Sequence, residues 1–524
     1  MPITEMLSRN ARVYPQEVSL IEREPAIGRR REITWLKFED QANRLANTLL
    51  ERGIKKGDKV ALLMMNCLEW LPVYFGILKT GALAVPLNFR FTAQEIKKCL
   101  AAADVKVLIY GPEFMERIAQ IREELSFVET FIFVGEACPA ETESFTKIIS
   151  AASAVDPQIA LTDSDEAALY FTSGTTGTPK PIILTHANLV SACYTESNHH
   201  QQQHEDNFLC IPPLYHTGAK MHWLGSLLVG AKAVLLKGVK PQWILEAVSQ
   251  ERVSIVWLLV PWAQDILDAI ESKEVNLTDY QLEQWRLMHI GAQPVPPSLI
   301  MRWKKYFPKQ RYDTNYGLSE STGPGCVHLG LENIHKVGAI GVPGFNWEIK
   351  IVAENGNSVP AGQVGELVVR GPGVMKGYYK NPEATAKVLK NGWLYTGDMA
   401  KKDRDGFVYL VDRKKDVVIM GGENIYPVEI EDFLRSHEGI RDAAIIGMPD
   451  QRLGEVPAAI VELKPGRVLT EEMVLEFCQA LPRYKRPRLV FFDQVPRNPT
   501  GKIEKPKLRE KYCNGGSRFL LASC

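Results

Sequence analysis

Apolar positions between residues 34 and 52 recur with helical spacing. Phe38, Ala42, Leu45, Ala46, Leu49 and Leu50 fall on one face, and Gly53 supplies a stop. Residues 56–64 then read as a turn and a buried strand, 69–79 as a helix ending at Gly81, and 82–87 as the next strand. Strand and helix keep alternating through 105–110 and 130–134, which predicts an α/β domain with a largely parallel sheet. Apolar runs at 167–171, 182–184, 255–262 and 287–290 read as further buried strands. From Lys336 the pattern changes, and the short alternating runs at 347–352 and 365–371 predict a small antiparallel β subdomain. Beyond a charged cluster at 412–416, a strand and loop (417–427), a helix (428–436) and strands at 443–447 and 458–463 predict a separate, smaller α+β unit.

Composition adds bounds. A chain of 524 residues exceeds what one hydrophobic core supports, so two or more domains are expected. Lys plus Arg equals Asp plus Glu, 62 each, which gives no sign of nucleic acid or an anionic membrane as partner. The longest apolar run, 255–263, is about half of what spans a bilayer, and no signal peptide is read at the N-terminus. Nine cysteines, odd in number and never spaced C-x-x-C, suit a reduced, cytoplasmic setting without structural zinc.

The stretch with most chemistry is Ser173, Gly174, Thr175, Thr176, Gly177, Thr178, Pro179 and Lys180, between two apolar runs. Low side-chain bulk lets backbone N–H groups and hydroxyls turn toward one anion, and Lys180 brings a positive charge. Pro179 and Pro181 exclude the usual G-x-x-x-x-G-K-[ST] nucleotide loop. Pro181 also removes a backbone donor, which is expected to alter the stiffness of the loop.

Residues 171–180 resemble the signature of the adenylate-forming enzymes. Further signatures follow in family order: Tyr316-Gly317-Leu318-Ser319-Glu320 for Y-G-x-T-E, Thr396-Gly397-Asp398, Asp412-Arg413-Lys414-Lys415, and Pro499-Thr500-Gly501-Lys502. The chain is identified as a member of this AMP-binding family, of the acyl-CoA synthetase or carboxylate–CoA ligase type. The resemblance implies a large N-terminal adenylation domain (1–412), a hinge (413–416) at Lys415, a small mobile lid (417–513) and a flexible tail (514–524). It implies ATP, Mg²⁺ and coenzyme A as cofactors and a small-molecule carboxylic acid as substrate, with no membrane span; homo-oligomer formation stays open.

By the same resemblance, Thr172, Ser173, Gly174, Thr175, Thr176, Gly177 and Lys180 cradle the phosphates, and Gly291, Ala292 and Gln293 follow the adenine edge. Asn315, Tyr316, Gly317 and Ser319 meet the nucleotide, Tyr316 by stacking on adenine. Glu320 ligates the metal, Asp398 takes the ribose hydroxyls, Arg413 reaches ribose or phosphates, and Gly421 and Gly422 border the CoA entrance. Lys502 serves catalysis, and His216 stands beside the carboxylate. Tyr215, His216, Lys220, Met221, Trp223, Trp262, Gly291, Thr322, Gly323 and Pro324 form the implied acyl pocket. That bulky lining suits an aromatic, alicyclic or medium-chain acid, while Lys220 admits a second anionic group. Two alternatives remain: an enzyme loading a carrier-protein phosphopantetheine, and a non-catalytic nucleotide sensor of the same fold.

Overall fold

Thr34 caps the helix Trp35–Glu51 by accepting the Lys37 N–H, and Phe38, Ala42, Leu45, Ala46 and Leu49 on its predicted face are fully buried. This helix packs on Trp70–Lys79, an apolar helix buried along its whole length. The two approach so closely at Gly76 that a Cβ there would lie 2.9 Å from the Ala42 carbonyl oxygen. The computed structural model describes residues 1–172, 180–291, 295–328, 335–421, 423–497 and 503–513.

Two large sheets enclose this helical layer. One runs Lys59–Leu63, Leu83–Pro86, Val105–Tyr110, Thr130–Phe133 and Glu166–Thr172 in parallel, with Lys180–Thr185 and Gly377–Tyr378 antiparallel at one edge. The other has a parallel centre made of Val18–Glu24, Lys232–Leu236, Asn207–Cys210, Ile255–Leu259, Leu287–Gly291 and Arg311–Gly317, and antiparallel strands at its rims. Helices Trp35–Glu51, Trp70–Lys79, His186–His200 and Thr217–Val229 share one core between the sheets, and other helices cover the outer faces. The alternation read from sequence thus gives a layered α/β fold.

The predicted antiparallel subdomain is a five-stranded sheet of Glu348–Val352, Gly365–Arg370, Leu389–Lys390, Trp393–Lys402 and Val408–Arg413. After it comes the α+β unit. Its long hairpin Ile440–Asp450 with Gly454–Leu463 carries Leu489–Phe492 in parallel, and the helices Pro427–Arg435 and Lys505–Cys513 pack on it.

The run 255–262 is not one strand. The strand ends at Leu259, and Pro261 near the start of the helix Val260–Glu271 turns the chain into that helix. Trp262 therefore rides on an outer helix and packs on the core beneath it. Among the described residues no helix is long and apolar enough to cross a membrane.

Candidate active site

The carboxyl ends of the parallel strands in the second sheet, the antiparallel sheet and the C-terminal unit meet around a cavity of about 310 Å³. Openings at strand carboxyl ends are where α/β sheets take ligands. One wall is His216, Gly218, His222 and Trp257; a second is Asn315, Tyr316 and Gly317; the third brings Asp398, Arg413, Glu431 and Lys505.

Asp398 and Arg413, read from separate signatures, are cross-strand partners in the hairpin of Trp393–Lys402 with Val408–Arg413. Arg413 Nε stands 3.1 Å from Asp398 Oδ1, and the Tyr316 hydroxyl donates to Asp398 Oδ2 at 2.5 Å. The carboxylate raises the arginine further above its ordinary range, so this cation stays charged. Tyr316 has its hydroxyl committed and its ring in the cavity wall.

Glu320 leaves the strand Arg311–Gly317 through the short turn Ser319–Ser321. Its carboxylate accepts the Tyr378 hydroxyl at 3.0 Å, and Lys180 Nζ lies 5.7 Å from the centre of the Tyr378 ring. Burial, and then Glu320, push the Tyr378 hydroxyl up, so it remains a donor at neutral pH. Lys180 pairs in register with Thr172, which brings together the two ends of the glycine-rich segment. Thr217 and Ser319 hydroxyls are 3.2 Å apart, and Glu320 follows Ser319 in the chain; oxygen donors of this kind suit a hard cation such as Mg²⁺. Nothing in the chain's local pattern marks Tyr378 as a partner of Glu320; the pairing of Gly377–Tyr378 with the strand Lys180–Thr185 brings it there.

His216 caps the helix Thr217–Val229, its Nδ1 accepting the Gly218 N–H at 3.1 Å. On that helix Gly218 and His222, one turn apart, face the cavity. Lys220 and Trp223 point the other way. Trp223 is fully buried among Phe38 and Phe75. Lys220, 1% exposed, donates to the Tyr74 hydroxyl at 2.7 Å over the rings of Tyr74 and Tyr170, and burial pulls its ammonium well below the ordinary lysine range. The structure places neither Lys220, Trp223 nor Trp262 at the cavity, because a helix turns about 100° per residue and a run read in line crosses both faces.

Tyr215 is half-buried against Phe89, Thr322 is buried with φ +58°, and Gly291 closes the strand Leu287–Gly291 beside Trp257. Gly323 follows Thr322 and is buried. Gly421 is exposed with φ +59°, and Lys415 is exposed. Ser173, Gly174, Thr175, Thr176, Gly177, Ala292, Gln293, Gly422 and Lys502, with the tail 514–524 and the side chains of Met221 and Pro324, lie outside the described residues.

The C-terminal unit holds the third wall by ion pairs: Lys505 Nζ to Glu431 at 2.8 Å, and Arg509 to Asp416 at 2.8 Å. Asp412 accepts the Val428 N–H at 3.0 Å, and burial pushes its carboxyl up to about 6.

Behind His222 and Trp257 lies a feature the sequence reading passed over. Glu196, His199 and His200 on the helix His186–His200 face His222, His289 and Asp313, all at least nine-tenths buried. The His222 ring lies 4.3 Å from that of His289 and 4.4 Å from that of Trp257, tilted against both. Burial pushes His200 down to about 4 and His289 down to about 3. His199 overcomes burial through Asp313 and Glu196 and rises to about 9; the histidines in turn hold Glu196 well below the carboxylate range against its burial. Glu196, His199 and His200 at helical spacing were the available signal.

The chain is similar to known proteins along most of its length. The family model described as AMP-binding enzyme matches residues 7–379, and the AMP-binding enzyme C-terminal domain matches 429–502. A feruloyl-CoA synthase of Amycolatopsis sp is 35% identical over 484 residues, 92% of this chain and 94% of that protein. The long-chain-fatty-acid–CoA ligase FadD13 of Mycobacterium tuberculosis is 33% identical over 511 residues, 97% and 98% of the two chains. Among solved structures, the anthranilate CoA ligase AuaEII in complex with anthranoyl-AMP superposes with a TM-score of 0.88 at 27% identity over 98% of each chain.

Proposed function

The chain belongs to the AMP-binding enzyme family and is an AMP-forming acid–thiol ligase; on that premise we propose that it joins an aromatic carboxylic acid to coenzyme A in the cytoplasm. The observation that carries the substrate is the wall of His216, His222 and Trp257, flat rings facing the nucleotide-side residues Tyr316 and Asp398 across one cavity. Such a wall offers an aromatic acid stacking area beyond simple burial. The names of the feruloyl and anthranilate ligases support the same class.

In this reading a carboxylate oxygen attacks the α-phosphorus of ATP and pyrophosphate leaves. The CoA sulfur then attacks the acyl carbon, AMP leaves, and the thiol proton passes to solvent. Asp398 accepts the ribose hydroxyls while Arg413 holds it in place, and Lys180 faces the phosphates from the strand edge. Glu320, positioned by Tyr378, would hold Mg²⁺, which when bound offsets phosphate charge. Lys502 serves the first step as a cation beside the α-phosphate. Residues 413–416 form the hinge and 417–513 the lid, since one arrangement cannot favour both transition states.

The test is pyrophosphate and AMP release from MgATP over aromatic, alicyclic, medium-chain and short acids, each with and without CoA. Turnover with aromatic acids that requires CoA and yields the thioester supports the reading. Preference for short or long aliphatic acids overturns the substrate class, and exchange indifferent to CoA overturns the acceptor.

A further inference from the structure

The buried histidines behind the cavity meet at one point. His199 Nε2, His200 Nε2 and His289 Nδ1 stand 2.9, 3.0 and 3.1 Å from the same oxygen, Oδ2 of Asp313. His200 Nε2 and His289 Nδ1 are themselves 3.1 Å apart. Oδ1 of Asp313 meanwhile has no hydrogen-bond partner. A hydrogen-bonded network would share three ring nitrogens over both oxygens of the carboxylate; convergence on one oxygen is how ligands crowd around a shared cation.

The distances fit that cation. Ligands at roughly 2.0–2.1 Å from a tetrahedral zinc ion lie about 3.3 Å from one another. The four contacts above fall a few tenths of an ångström inside that edge, and all four ligand atoms lie within 4.8 Å of one another. The outer contact of His199 is that of a ligating histidine: its Nδ1 lies 3.0 Å from the Thr195 carbonyl oxygen, which leaves the Nε2 lone pair facing inward. His200 Nδ1 lies 3.6 Å from Glu196 Oε2, a carboxylate beside the site. The two carboxylates, Asp313 and Glu196, balance a divalent charge without any protonated ring. Nothing in the ligase reaction uses this cluster.

We propose that His199, His200, His289 and Asp313 bind a structural zinc ion. Four protein ligands close the site, so the ion has no open position for substrate. It pins the end of the helix His186–His200 to two neighbouring strands, on which His289 and Asp313 are register partners. Those strands lead into Gly291 and into Asn315 and Tyr316, so the ion braces the back of the cavity. The cysteine spacing pointed away from structural zinc; three histidines and an aspartate supply the donors instead.

The test needs no enzymatic activity, so its outcome is independent of the ligase assignment. Full-length protein purified from zinc-supplemented medium is expected to carry one zinc per chain by plasma mass spectrometry. Chelation should lower Tm by several degrees, and Zn²⁺ but not Mg²⁺ should restore it. Co²⁺ in its place should give the visible absorption of a tetrahedral ion. His289→Ala and Asp313→Ala should lose the metal while His222→Ala keeps it; if those two variants fail to fold, the metal content of the unaltered protein decides. Protein that is metal-free as purified and whose Tm Zn²⁺ does not move overturns the site and makes the cluster a proton-bound ion network. Zinc retained in both His289→Ala and Asp313→Ala would also overturn it.

Discussion

Asp398 is the side chain on which two others depend. Removing it leaves Arg413 without its strand partner and the Tyr316 hydroxyl without its acceptor. Hydrogen bonds to charged groups contribute about 1.5–3 kcal/mol each. Asp398→Ala should therefore lower kcat/KM for ATP by about 10–100-fold and lower Tm by a few degrees. His186 makes a prediction of another kind. It is 1% exposed at the start of its helix, its Nδ1 has no hydrogen-bond partner, and burial pushes it down to about 4. The folded chain thus takes the proton less readily than the unfolded one. Stability falls as pH drops from about 6.5, and the loss, on the order of 3 kcal/mol, is complete near pH 4. Thermal melts between those values should fall less steeply for His186→Gln than for the unaltered protein.

At the scale of elements, close packing is what sequence patterning reads least well. A Cβ at Gly76 would meet the Ala42 carbonyl oxygen and the Leu45 Cβ at 2.9 Å each, and both belong to a fully buried helix face. Gly76→Ala should cost about 1–3 kcal/mol in urea titrations while the specific activity of folded protein is unchanged. The helix Trp35–Glu51 was legible because one face is apolar and the other polar. The acyl wall was not, because Thr217–Val229 is apolar on nearly every side, so amphipathicity could not tell the cavity face from the core face. Lys220 looked like a ligand for an anion and is instead enclosed by tyrosines. The ionic cluster escaped notice since Glu196, His289 and Asp313 are distant in the chain and only strand register brings the last two side by side. Asp398 and Arg413 were legible separately, from short signatures; their mutual contact was not.

Across the whole molecule, the expected hinge predicts a separation of the two steps. Proline at 415 would fix φ near −65° and remove a backbone donor. Lys415→Pro should retain acid-dependent pyrophosphate exchange within several-fold while thioester formation drops by about a hundredfold or more, measured as the two half-reactions on one preparation. Equal loss of both would place the pivot elsewhere. The antiparallel pairing of Asp398 with Arg413 matters for this motion. Arg413 ends the strand Val408–Arg413 and the Lys414 N–H still bonds the Gly397 carbonyl oxygen at 2.9 Å, so a turn at Lys415 would leave the proposed hold of Arg413 on the nucleotide in place. The adenylate would then never be put down between the steps. Such an enzyme should spill little activated acid into water, and the AMP and thioester it makes should stay close to one for one even when CoA is scarce.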